Sequence, residues 1–441
     1  MKQWGAEAVM ENQWLSKLKE RHEQGHSPGM FAVCSAHPVV LVSAMEMARS
    51  ADRFLLVEAT ANQVNQFGGY TGMTPETFVD DLLRLARHKG LPARRLLIGA
   101  DHLGPHLWKG ARAEEAMALT EALVRRCVFA GFVKIHLDTG ARCASDPGPL
   151  LPLELAARRA AELCAAAEDA AKQLCDEHRP LYVIGNETPL PGGDLQEGRA
   201  VIPTDPHQLD QTLDAFQRAF YKKGLQEAWL RILAVVVQPG VEFGDRQVAV
   251  YRHGPAARLS AAYDRLPGSM TFEVHATDYQ PPEALRQLVD DHFTLLKVGP
   301  CLTFALRRTL YALGDIEAAL PGVDEPARLA EVMERLMLAH PAHWQSHLRG
   351  SDEELHDLRH HSLRDRIRYY WSFPEAREAL AQLMRNLRRS IPEALMQEHL
   401  PALYADIVSR SLHANPEAIA GLSVHKALQA YTNACWSRRS K

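Results

Sequence analysis

Leu96-Leu97-Ile98-Gly99-Ala100-Asp101-His102-Leu103-Gly104-Pro105 is the stretch that decides the fold of this 441-residue chain. An apolar run leads straight into an acid and an imidazole, and two helix breakers follow at once. The run reads as a strand buried on both faces, of the kind found in parallel sheets. Its end sets a proton-transfer group and a metal-type ligand at the rim of a sheet. Seven other segments repeat the plan, at residues 31–36, 54–60, 132–138, 181–187, 233–239, 270–276 and 294–299. Each is short, rich in Val, Ile, Leu and Phe, and followed by polar residues.

Helical patterns separate these runs, at 75–89, 112–130, 153–178, 206–223, 282–292 and 301–313. The first opens with Thr74-Pro75-Glu76, a cap followed by proline in the first turn. Eight strands alternating with helices over about 300 residues predict a (β/α)8 barrel, the TIM-barrel class of α/β fold. An open doubly wound sheet is the alternative, but no G-x-G-x-x-G follows an early strand. Beyond residue 320 the strand pattern stops, and 325–340, 352–369, 374–389, 392–410 and 415–436 read as helices. The expected organisation is therefore an N-terminal helical segment over 1–29, a barrel over 30–320, and an all-helical extension over 321–441. A polar amphipathic helix at 12–25 is expected to cap something, and the extension to form either a lid or an oligomer interface.

Composition narrows the function. A net charge of −4 is wrong for a protein whose main partner is nucleic acid. No apolar stretch approaches the ~18 residues of a membrane span. Seven cysteines without a C-x-x-C pair fit a reducing compartment better than a disulfide framework. These readings lead to an expected cytoplasmic protein; a homo-oligomer acting on a small molecule is expected besides.

Barrel active sites lie at the C-terminal ends of the strands, and period-two alternation tells which residues share a face. Lys134, His136 and Asp138 share one face of the fourth run. Glu273 and His275 share a face of the seventh, with Asp278 just beyond. The second run delivers Glu58, the fifth Glu187, the sixth Gln238 and the eighth Lys297. One acid or imidazole at a strand end is commonly a cap or an ion pair. Seven of eight ends carry an acid, His or Lys, counting His37 just after the first run, and in runs otherwise poor in charge this argues for a shared site. Imidazoles and carboxylates from different strands make a nitrogen–oxygen set suited to a divalent metal, zinc first, with manganese, cobalt or nickel also compatible.

The expected ligands are His102, Glu187 and His275. The expected acid/base group is Asp101, with Asp138 or Glu58 second. Alternation puts Asp101 and His102 on opposite faces, so the strand must end or bulge there. The amide- and glycine-rich loop 61–73 offers Asn62 and Gln66 to a polyhydroxy ligand; His136, Gln238, Asp278 and Lys297 complete the expected substrate contacts. A Schiff-base role is a further reading for Lys297. The stretch 364–371, rich in Arg and Tyr, reads as a helix packed on the barrel, with one Arg placed to reach a phosphate. A sugar kinase is disfavoured, because the chain has no G-x-x-x-x-G-K-[ST] loop.

The motifs CSAHP (34–38), EATANQVNQFGGYTGMTP (58–75), GADHLGP (99–105), AGFVKIHLD (130–138), VVQPGVEF (236–243), HATDYQ (275–280), DHFTLLKVGPCLTFAL (291–306) and DRIRYYW (365–371) resemble the Z subunit of D-tagatose-1,6-bisphosphate aldolase, the GatZ/KbaZ family. The resemblance runs over residues 30–371, with a looser tail. It implies a non-catalytic partner that stabilises and activates a separate class II aldolase subunit in ketohexose-phosphate (tagatose and galactitol) metabolism. Relatives of the family imply an alternative: a stand-alone ketose or ketose-phosphate 4-epimerase working by retro-aldol cleavage and re-addition. Asp101-His102 is similar to the Asp-His pair of class II aldolases, in which the Asp is the acid/base group and the His a zinc ligand, and His275 is similar to a later His ligand. Their other His ligand has no match, so Gln238 or Glu187 would have to replace it. The glycine-serine phosphate loop of those enzymes is absent too.

Overall fold

The computed structural model describes residues 12–26, 29–174, 179–186, 193, 195 and 200–437. Eight parallel strands close into a barrel in chain order: β1 (Met30–Val33), β2 (Leu55–Thr60), β3 (Leu96–Leu103), β4 (Lys134–Asp138), β5 (Leu181–Gly185), β6 (Ile232–Val236), β7 (Thr271–Val274) and β8 (Leu295–Val298). β1 pairs with both β2 and β8, so no strand edge is left open and the doubly wound alternative is excluded.

The helices between them are α1 (Pro38–Ser50), α2 (Pro75–Lys89), α3 (Ala113–Phe129), α4 (Leu153–Lys172), α5 (Pro206–Lys222), α6 (His253–Ser260), α7 (Pro282–Asp290) and α8 (Pro300–Ala319). Local chemistry accounts for their bounds. In α2 the Thr74 and Thr77 side chains form a capping box ahead of Pro75, and Gly90, at φ 69°, ends the helix in the left-handed region.

Two apolar layers hold the barrel. Strand residues facing outward pack against the helices in one continuous core. Inside, the N-terminal half of the barrel is filled by Met30, Ala32, Leu56, Leu97, Leu181 and Leu295. Leu15 and Leu18, from the start of the chain, are fully buried in this inner cluster. The expected N-terminal cap is thus a plug for the bottom of the barrel.

After α8 come only helices: α9 (Leu329–Ala339), α10 (Asp352–His361), α11 (Pro374–Asn386), α12 (Glu393–His399), α13 (Pro401–Ser409) and α14 (Pro416–Trp436). α14 returns to the barrel, where Trp436 lies 5.0 Å from Phe31 of β1 between ring centroids. Tyr431 donates its hydroxyl to the carbonyl of Thr277, 2.6 Å away on the rim after β7. The helix expected over 352–369 is shorter. It ends at His361, and Arg366–Tyr370 form a separate 3-10 turn. Asp365 breaks the helix at φ 46°, its carboxylate held by the Thr303 hydroxyl at 2.6 Å and Arg307 Nε at 3.0 Å.

Candidate metal centre and active site

β3 bulges where alternation demanded it. Its register with β4 shifts between Ala100 and Leu103, and His102 adopts φ 52°. The bulge turns consecutive residues Asp101 and His102 into the same buried site. Gly99 makes room for Glu58, since a Cβ there would sit 2.8 Å from Glu58 Cγ.

Three imidazoles converge above the inner apolar layer. The His102 ring lies 5.3 Å from His136 and 4.9 Å from His275, and His136 lies 5.2 Å from His275. Each ring is held by a carboxylate at 2.8 Å: His102 Nδ1 by Asp138, His136 Nδ1 by Asp101, and His275 Nε2 by Glu273. Carboxylates placed in this way orient metal-binding imidazoles and fix their tautomers. Asp101, His136, Glu273 and His275 each offer a ligand atom, all within 4.8 Å of one another. His136 Nε2 is buried with no hydrogen-bond partner.

Below the rings runs a buried charge network. Lys134 bridges Glu58 (2.8 Å) and Glu273 (2.7 Å). Lys297 contacts Glu58 and lies 2.9 Å from Asp101. Four carboxylates (Glu58, Asp101, Asp138 and Glu273) thus face two ammonium groups, a set that suits one divalent cation. The residues present fit such an ion.

Electrostatics assigns protonation states. Burial opposes charge on Asp101, but His102, Lys297 and His136 outweigh it and hold the carboxyl well below its usual range. Burial would likewise neutralise Lys297, yet Asp101, Glu58 and Glu273 keep its ammonium well above the ordinary lysine range. A locked ammonium is no nucleophile, so the Schiff-base reading of Lys297 has no support. Burial lowers His275 to about 4, which leaves it neutral and fit to ligate. His102 goes the other way: burial is outweighed by Asp101 and Asp138, and its pKa rises.

The cavity at this mouth is small, about 70 Å³, and is lined by Asp101, His102, His275 and Lys297 together with Gln63 and Arg368. Other sequence-derived candidates lie elsewhere or do other work. Gln66 donates to the Leu119 carbonyl of α3 at 2.9 Å, and Gln63, rather than Asn62 or Gln66, lines the cavity. Gln238 Oε1 accepts from the Gly240 and Val241 amides and shapes its own turn. Asp278 lines the cavity, but its Oδ1 accepts from the Gly299 and Cys301 amides at the start of α8. Glu187 lies outside the described residues.

His136, expected to touch substrate, is fully buried within the imidazole trio, and Glu273 stands with it. Alternation from His275 points to Glu273, but nothing in the pattern separates a ligand from a neutralised carboxylate. A second cluster, Glu334, His356 and His360, sits on α9 and α10. Arg359 already holds Glu334 through two nitrogens, and His360 Nδ1 pairs with the Tyr311 hydroxyl at 2.9 Å.

Comparison with known proteins agrees with this architecture. A family model described as D-tagatose-1,6-bisphosphate aldolase subunit GatZ/KbaZ-like matches residues 15–436, so it takes in the N-terminal plug and α14 as well. The crystal structure of a probable tagatose 6 phosphate kinase from Sinorhizobium meliloti 1021 is 43% identical, with a TM-score of 0.84, covering 92% of this chain and 100% of that one. A glycerol-bound fructuronate-tagaturonate epimerase, UxaE, from Cohnella laeviribosi is 12% identical with a TM-score of 0.48, covering 91% and 81%, too remote to bear on function. No helix among the described residues is long and apolar enough to cross a membrane.

Proposed function

The chain belongs to the GatZ/KbaZ-like family of D-tagatose-1,6-bisphosphate aldolase subunits, and from that premise we propose that it carries out aldol-type chemistry itself, as a metal-dependent 4-epimerase of a ketohexose or its phosphate. The observation that carries this reading is the imidazole trio, each ring backed by its own carboxylate, at the open end of the barrel. A scaffold has no use for so many buried charges, each of which is costly to bury.

Asp101, His136, Glu273 and His275 would hold the divalent ion. That ion would supply Lewis-acid polarisation of the ketose carbonyl. His102, which lines the cavity with Asp138 behind it, is placed to take the proton from the C4 hydroxyl and to return it after re-addition to the opposite face. This arrangement exchanges two expected roles: Asp101 turns from base to ligand, and His102 from ligand to base. Lys297 and Lys134 hold the surrounding carboxylates in place.

The test is direct. Full-length protein supplied with zinc or manganese should convert tagatose 6-phosphate to fructose 6-phosphate, followed by NMR. His102→Gln should lower kcat by at least ~100-fold while keeping its metal, whereas His136→Ala should weaken metal binding by ~10–100-fold. No turnover across neutral, mono- and bisphosphorylated ketohexoses would refute the epimerase.

The family description favours a second reading, an accessory subunit of a class II aldolase. It predicts that mixing raises the activity or half-life of that catalytic subunit, and absence of both effects removes it. The kinase named for the 43% identical relative has no counterpart here in a G-x-x-x-x-G-K-[ST] loop.

A further inference from the structure

The turn Arg366–Tyr370 of the helical extension lies at the barrel mouth, where its Arg368 and Tyr369 line the cavity. Its two ends are fixed. Asp365 is anchored to α8 through Thr303 and Arg307, and the Ser372 hydroxyl donates to the Tyr70 carbonyl at 2.6 Å. Tyr70 and Tyr369 pack edge to face, 4.4 Å between centroids.

Arg368 lines the small cavity at the mouth and also an adjoining chamber of about 490 Å³, so it stands where the two meet. Its guanidinium donates to the carbonyls of Arg364 and Asp365, and to Tyr369 Oη at 3.2 Å. Arg366 donates to the same Tyr369 oxygen at 3.2 Å and contacts His347 Nδ1 at 2.7 Å. Arg366 is 6% exposed, and its buried Nε has no partner. Among the described residues, no carboxylate lies within 4.0 Å of either guanidinium. Arg364 and Arg307 differ: they pair with Asp245 and Asp365.

Arg368 lines the cavity, the buried Arg366 shares its Tyr369 partner, and neither has a carboxylate beside it; because buried charge is stable only when paired, this pair of guanidinium groups suits an anion. The other anion-binding feature at this mouth is already used. The α8 N-terminus, whose free amides would suit a phosphate, is filled by Asp278. The Lys297 ammonium is taken up by Glu58 and Asp101.

We propose that Arg368, positioned by Tyr369 and Arg366, binds the terminal oxyanion of a substrate whose carbonyl end lies at the imidazole trio. The proposal rests on the reading of this mouth as a ketose site and names Arg368 as the residue that selects an open-chain ketose with an oxyanion, phosphate or carboxylate, on its far end over a neutral sugar. Guanidinium forks take both anions through paired hydrogen bonds. The chemistry would then sit on the barrel and the choice of substrate on the extension.

The experiment is calorimetric titration of metal-loaded full-length protein with tagatose 6-phosphate, tagatose and tagaturonate. Wild type is expected to bind at least one of the two anionic sugars ~10-fold or more tighter than tagatose. Arg368→Met should shrink that preference to within ~3-fold at unchanged metal content and melting temperature. Arg368→Lys keeps the charge but loses the fork, and should fall between; it serves alone if the Met variant does not fold. A preference for phosphate, or for carboxylate, supports the subsite and names the anion. An unaltered preference in both variants, or none in wild type, overturns it. Binding is read without turnover: a preference that depends on Arg368 in a protein that epimerises nothing removes the 4-epimerase and leaves the subsite standing.

Discussion

Lys134 shows how much a single residue settles in this barrel. Its ammonium is fully buried between Glu58 and Glu273, and both carboxylates are fully buried with it. Lys134→Met keeps the bulk and removes the charge, leaving Glu273 with the His275 ring at 2.8 Å and the Lys297 ammonium at 3.9 Å. The expected cost is ~3–5 kcal/mol, the range for one partner stripped from a buried pair, read from urea unfolding. A cost under ~1 kcal/mol would mean that the lysine and the two carboxylates are not held together as a buried charged cluster. Gly104 is the converse case, needed for what it lacks: a Cβ there would fall 1.4 Å from the Asp138 carbonyl oxygen, where β3 and β4 converge on the site. The inward faces of Lys134, His136 and Glu273 were legible from alternation. Which charge meets which was not, since alternation gives the side of a strand and not the distance to its neighbours.

At the scale of elements, the eight strands lie where short apolar runs ending in polar residues put them, because parallel strands buried on both faces leave that pattern. The 352–369 segment departs from a single helix for a physical reason. Its composition suits a helix throughout, but Arg307 and Thr303 of α8 capture Asp365 and turn the chain. α14 carries the next prediction. Leu428 is fully buried in the same core as the barrel helices. Leu428→Ala should therefore cost ~2–5 kcal/mol, read as a shift of one cooperative unfolding transition. A shift below ~1 kcal/mol, or a separate early transition for the extension, would show that α14 is an appendage.

For the whole molecule, acid should be the weak side of the metal-free protein. Burial lowers His37 and His106 to about 4, and His347 and His360 to about 4 as well. An unfolded chain protonates these rings near 6.5, while the fold keeps them neutral until about 4. Their stabilisation is thus complete above pH 6.5 and is lost as the pH falls toward 4. Glu334, opposed by burial but held at about 2 by Arg359 and His356, adds stability above about pH 4.5 that is lost as the pH drops toward 2. His102, shifted upward, works in the opposite sense and is outnumbered. The melting temperature should fall steadily from pH 7 to 4.5, and a flat profile over that range would contradict the burial of these rings.

The sequence by itself determined the barrel, its eight strands in order, and the set of acids and imidazoles at their ends. These are local properties, written in alternation and helical periodicity over a few residues. Only the tertiary structure decided that His136 joins His102 and His275, that Lys297 meets a Glu58 lying 239 positions earlier, and that Arg368 reaches over the mouth from the extension. Such pairings depend on the closure of the barrel and the path of the returning chain, and no short window of sequence contains either.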